Sequence, residues 1–119
     1  MNWIAIGALY SAIAVAAGAF GAHGLKDRLE PNALAQWETA ARYLMYGGLG
    51  LLAVALAGPK LGVSVNGPAA SLAVGAAIFS GTVFGLALGS PRWFGAITPL
   101  GGLGMIVGFL WLAVLAWRA

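Results

Sequence analysis

The chain has 119 residues, of which 61% are hydrophobic and only 8% charged, with a net charge of +3 and no cysteine. A soluble domain this small exposes most of its residues to water and draws about a quarter of them from charged types, so the composition excludes a water-soluble fold and points to a lipid bilayer as the main solvent. The missing cysteines exclude disulfides, thiolate metal sites and a cysteine nucleophile. The basic residues Lys26, Arg28, Arg42, Lys60, Arg92 and Arg118 are scattered rather than clustered, so nucleic acid is not an expected partner.

The first apolar stretch covers about residues 3–22 and carries no charge, with Ser11 the only polar residue in its body. It starts Met1-Asn2-Trp3-Ile4, without the basic n-region of a secretory signal, and its apolar run is too long for one. The reading is a retained span. His23 to Asn32 follows as the only charge-dense segment. Glu30-Pro31 then opens a second helix over about 31–57. It is polar in its first turns and apolar from Tyr43 to Ala57, and Gly58-Pro59-Lys60 is expected to stop it. Asn66-Gly67-Pro68 is a turn leading into a third helix over about 68–88, with Pro68 at its first position. Gly89-Ser90-Pro91-Arg92 ends that helix, and Thr98-Pro99 opens a fourth over about 99–117.

Each segment can supply the roughly 20 apolar residues that cross a bilayer. Helices apolar all round, in a chain too small to enclose them, are membrane spans. Short connections make successive helices antiparallel neighbours. The expected fold is all-α: one membrane domain, residues 1–119, built as an up-down-up-down bundle of four transmembrane helices.

Lipid removes most of the hydrophobic drive between helices, so close packing of small residues must hold them. The chain has 19 glycines. Gly18 sits in a row with Ala14 and Ala22, Gly81 and Gly85 continue to Gly89 at spacing four, and Gly104 pairs with Gly108. These five glycines, Gly18, Gly81, Gly85, Gly104 and Gly108, are the expected helix-packing positions, with intramolecular packing preferred. Gly47, Gly48 and Gly50 thin the second helix. Four short helices bury little surface between them, so a homo-oligomer is a further expectation. Aromatic residues near segment ends, such as Trp3, Trp93 and Trp117, suit the membrane interfaces. Lys26, Arg28 and Arg92 lie in the loops after the first and third spans, against Lys60 and Arg118 on the other side. The positive-inside rule therefore places those two loops in the cytoplasm and both termini outside.

The segment from Phe20 to Tyr46 holds the only histidine and all the acidic residues. Its candidate polar cluster is His23, Glu38, Arg42 and Tyr46. Glu38 and Arg42 are four apart and can pair along one helix face, with Tyr46 a turn further on. Arg42 sits where the apolar run begins. The expectation is a guanidinium at the end of a span, snorkelling to the interface and neutralised by Glu38; the alternative is a ligand role. A single histidine without a partner is a poor metal site, and the cluster contains no nucleophile–base–orienter set. No catalytic residue, metal or cofactor is assigned.

The residues Gly18-Ala19-Phe20-Gly21-Ala22-His23-Gly24-Leu25 resemble the signature of the DUF423 family, small four-helix membrane proteins of bacteria whose eukaryotic relatives are called transmembrane protein 256. Trp37-Glu38-Thr39-Ala40-Ala41-Arg42-Tyr43-Leu44-Met45-Tyr46 is similar to its second block, and Gly95-Ala96-Ile97-Thr98-Pro99-Leu100-Gly101-Gly102 to its third. The blocks fall in order along essentially the whole chain. Members commonly carry a second histidine after the tyrosine block; this chain has Gly47 there, so a histidine pair is not available to it. The resemblance implies an integral protein of the bacterial cytoplasmic (inner) membrane and supplies no substrate or reaction.

An intramembrane enzyme would need a nucleophile or metal set that the residues do not supply, and two other functions are open. One is a non-enzymatic membrane protein with a structural, assembly or partner-binding role. The other is a small oligomeric transporter or channel whose polar vestibule is the first loop and the start of the second helix. The scarcity of ionisable groups inside the spans favours the first.

Overall fold

The computed structural model describes residues 1–119 and consists of four α-helices: α1 (Trp3–His23), α2 (Pro31–Leu61), α3 (Asn66–Ala87) and α4 (Phe94–Arg118). All four are long and apolar enough to cross a membrane. The chain is an integral membrane bundle of four helices.

The helix starts follow local chemistry. The Asn2 side chain accepts from Ala5 N at 3.0 Å and caps α1. Pro31 at the first position of α2 gives up a backbone donor that would have no helical partner there. Three boundaries differ from the sequence reading. The second helix does not stop at Gly58-Pro59-Lys60. It continues to Leu61, where Gly62 adopts φ 68° and donates its N–H back to Gly58 O at 3.0 Å. A left-handed glycine is the stronger stop, and Pro59 in the last turn removes only one bond near an end that is already fraying. The third helix starts at Asn66, not at Pro68. The fourth starts at Phe94 and carries Pro99 inside its second turn. That proline costs one bond, to Gly95 O close to the helix start, and Thr98 Oγ1 donates to Phe94 O at 2.9 Å beside the gap.

The helices form a staggered row. α2 and α3 lie in the middle; α1 packs on α2, α4 packs on α3, and α1 and α4 do not touch. The centre is aliphatic: Leu51, Val54, Leu72 and Ala76 are fully buried between α2 and α3, with Met105 of α4 against them. Such packing works by dispersion and fit, since lipid tails compete equally for apolar surface.

Glycine pairs set where the outer helices cross the inner ones. A Cβ on Gly7 of α1 would stand 2.7 Å from Gly48 O of α2, and one on Gly75 of α3 would stand 2.7 Å from Gly101 O of α4. Both distances fall inside van der Waals contact, so only glycine permits these approaches. Interhelical hydrogen bonds reinforce them. Tyr10 Oη donates to Ala73 O at 2.9 Å and ties α1 to α3; Ser71 Oγ donates to Gly104 O at 2.7 Å; the Thr82 and Thr98 hydroxyls meet at 2.6 Å between α3 and α4. Each such bond stabilises a membrane bundle by about 0.6 kcal/mol.

The expected packing glycines divide. A Cβ on Gly104 would lie 3.1 Å from Gly75 Cα, one on Gly108 would lie 3.0 Å from Pro68 O, and one on Gly85 would press on the Phe94 ring at 2.8 Å. Gly18 and Gly81 are a correction: a Cβ on either would meet nothing within 4 Å. Their spacing is right for a packing face, but the turn of the helix points them away from any neighbour.

A membrane-facing groove beside the tyrosine pair

The loop after α1 closes tightly. Gly24 N and Leu25 N both donate to Phe20 O, at 2.7 and 3.0 Å, and Leu25 is buried. α2 therefore starts directly beside the end of α1 and runs back along it. Trp37 fixes the register. Its indole Nε1 donates to Ala17 O at 2.8 Å, Gly21 leaves room for its ring, and its other edge meets Phe84 of α3 at 4.6 Å between centroids. One side chain thus clamps α1, α2 and α3 together.

That register moves Arg42. With Trp37 beside Ala17 and Gly48 beside Gly7 and Ser11, Arg42 falls level with the stretch of α1 around Ala14. At 1.5 Å per residue it lies about 13 Å from the His23 end of α1 and about 16 Å from the Trp3 end. By sequence, Arg42 stands where the apolar run of α2 begins, at the end of a span. In the fold it stands beside the middle of one, because the polar first turns of α2 lie alongside the apolar C-terminal half of α1 rather than beyond it.

Glu38, Arg42 and Tyr46 follow one another at single-turn spacing down the exposed side of α2. His23 is the last residue of α1 and is also exposed. No side-chain hydrogen bond joins any of the four to another, and the side chains of Glu38 and Arg42 bond to nothing in the chain. The expected Glu38–Arg42 pair is not formed. No three of the His, Asp and Glu side chains converge on one point.

Tyr46 opens onto a feature the sequence did not reveal. A cavity of about 730 Å³ lies between α2 and α4 with α3 as its floor. Tyr43, Tyr46 and Gly50 form one wall, Phe79 the floor, and Gly102 and Phe109 much of the other wall. Tyr43 and Tyr46 meet edge to face at 5.2 Å, and Tyr43 packs on Phe79 at 4.6 Å. The recess exists because α2 and α4 barely meet, and because Gly50 and Gly102 put no side chain into the space. The double glycine at Gly101-Gly102 is the one signal that could have pointed to it: Gly101 takes the close approach to α3, and Gly102 leaves the gap.

Compared with known proteins, residues 17–102 match the model of the family described as "Protein of unknown function (DUF423)". A UPF0382 membrane protein of Staphylococcus saprophyticus is 46% identical over 112 residues, covering 94% of this chain and 93% of its own. A UPF0382 membrane protein of Staphylococcus epidermidis is 45% identical over 112 residues, 94% of this chain and 92% of its own. The UPF0382 membrane protein YwdK of Bacillus subtilis is 39% identical over 116 residues, 96% of this chain and 94% of its own. No solved structure matches the chain. With the family model spanning most of the chain and these relatives aligning over more than nine-tenths of it, the protein belongs to the DUF423 family of integral membrane proteins.

Proposed function

We propose that this protein is a non-enzymatic membrane component that binds an apolar partner sideways, within the bilayer, in the groove between α2 and α4. The observation that carries this reading is the contrast between groove and core. The groove opens laterally to lipid and is lined by Tyr46, Phe79, Met105 and Phe109. The centre of the bundle is plugged by Leu51, Val54 and Leu72, all fully buried. A site that opens sideways suits an acyl chain or a transmembrane segment. A transporter instead needs a polar path near mid-membrane, and the aliphatic plug stands across it.

The test is reconstitution in liposomes with measurement of proton, ion and small neutral solute flux. Background flux in every assay is expected. Flux above that of protein-free vesicles overturns the reading in favour of a small oligomeric transporter. We further assign the protein to the bacterial cytoplasmic membrane, with the α1–α2 and α3–α4 loops inside and both termini outside, on the distribution of Lys26, Arg28 and Arg92. The chain has no cysteine of its own. Single cysteines placed at Asp27 and Ser64 therefore report sidedness directly. Labelling of the Asp27 position by an impermeant maleimide in intact cells would reverse the orientation.

A further inference from the structure

The geometry points to a zwitterionic aminophospholipid, of the phosphatidylethanolamine class, as the occupant of this groove, with its phosphate on Arg42, its ammonium on Glu38 and an acyl chain between α2 and α4. The inference rests on the groove being the partner site proposed above. It follows from the order in which the features occur along α2.

Glu38 lies nearest the α1–α2 loop, hence nearest that membrane surface. Arg42 is one turn deeper, about 6 Å along the helix. Tyr43 and Tyr46 come next, and from there the groove runs past Gly50 to Phe109, across the middle of the bundle toward the Trp3 end of α1. From the surface inward the sequence of chemistry is anionic, cationic, amphipathic, apolar. A phosphatidylethanolamine read in the same direction is cationic, anionic, ester, hydrocarbon. Each layer of the protein faces its complement.

Arg42 needs such a partner. It is exposed, its side chain bonds to nothing in the chain, and it stands level with the middle of α1. A guanidinium at that depth is sustained by a counter-anion or by drawing a headgroup inward through snorkelling and local thinning. Its fork of N–H donors matches phosphate oxygens in bidentate geometry. Glu38 does not take that role, since no hydrogen bond joins the two. Glu38 one turn outward disfavours a purely anionic lipid there and favours a head that carries an ammonium beyond its phosphate. The groove volume of about 730 Å³ is of the size that holds small ligands.

The experiment adds lipids to the full-length protein in detergent and follows its thermal unfolding. The probes are phosphatidylethanolamine, phosphatidylglycerol and phosphatidylcholine of matched chains. For the native chain, phosphatidylethanolamine is expected to raise Tm most. Phosphatidylcholine, whose quaternary ammonium donates no hydrogen bond to a carboxylate, is expected to raise it less. Arg42→Gln should abolish the headgroup dependence altogether, and Glu38→Gln should shift the preference toward phosphatidylglycerol. Both positions are exposed, so both variants should fold. Gly102→Leu fills the groove; a Cβ there meets only Phe79, at 3.5 Å, so the fold tolerates it. This variant should lose the response to every lipid. Equal shifts for all three lipids, unchanged in Arg42→Gln and Gly102→Leu, would mean annular lipid only and overturn the proposal. If Gly102→Leu suppresses the response while Arg42→Gln does not, the groove is a binding site but the headgroup assignment is wrong. Subunit crosslinks from Tyr46→Cys across two copies would put a second chain over the groove and also overturn it.

Discussion

The outer helices and the inner helices contrast in a way that runs against intuition from soluble proteins. α1 and α4 are the most apolar segments of the chain, yet each buries only three residues; α2 is the least apolar, and it and α3 bury nine each. In water the most apolar helix would sit at the centre. In lipid, an outward Leu or Phe is already in a favourable solvent. Burial therefore goes mostly to the residues that let helices approach, Gly and Ala, around a small aliphatic centre of Leu51, Val54 and Leu72. Hydrophobicity selects which segments enter the membrane, and size selects which faces meet inside it.

The strongest test of this contrast is to place bulk where an outer helix crosses an inner one. Gly7→Leu should push α1 off Gly48, and Gly75→Leu should push α4 off Gly101, because backbone carbonyls stand at 2.7 Å in both cases and cannot yield. A loss of about 3 kcal/mol is expected for each, read as a lowered Tm in detergent. Unchanged stability in either would mean that the crossing is not set by glycine. Trp37→Phe comes next. It keeps most of the ring contact with Phe84 but loses the bond to Ala17 O, and should cost about 1 kcal/mol. Tyr10→Phe removes the hydrogen bond from α1 to Ala73 O and should cost about 0.6 kcal/mol. The smallest effect belongs to Gly18→Ala and Gly81→Ala, where an added methyl meets open space. Stability within about 0.5 kcal/mol of the native chain is expected. A drop in Tm larger than that, or loss of an oligomer on size-exclusion chromatography, would show that a second copy covers these positions.

Much of the fold was legible because its signals are local. An uncharged run of adequate length reads as a span wherever it lies, and Glu30-Pro31 marks the start of α2 by its own backbone chemistry. The misplaced ends have local explanations too. Pro59 and Pro99 look like breakers, but each sits within a turn or two of a helix end, where the missing bond costs little. Gly62, with its positive φ, was the true stop. The glycines were harder. Gly18 and Gly104 carry the same small-residue spacing, and nothing in that spacing tells which one faces a neighbour.

The candidate site was legible only in part. Glu38, Arg42 and Tyr46 stand out by type and spacing. Phe79, Gly102 and Phe109, which complete the groove, are ordinary membrane residues on two other helices. The sequence by itself determined four spans, their alternation, and a second helix polar at one end, because each follows from composition along a single segment. Only the tertiary structure decided how far that helix slides along α1. Trp37 bonded to Ala17 sets a register in which the polar turns of α2 lie within the membrane thickness that α1 defines. Depth is a relation between helices, and no single helix carries it.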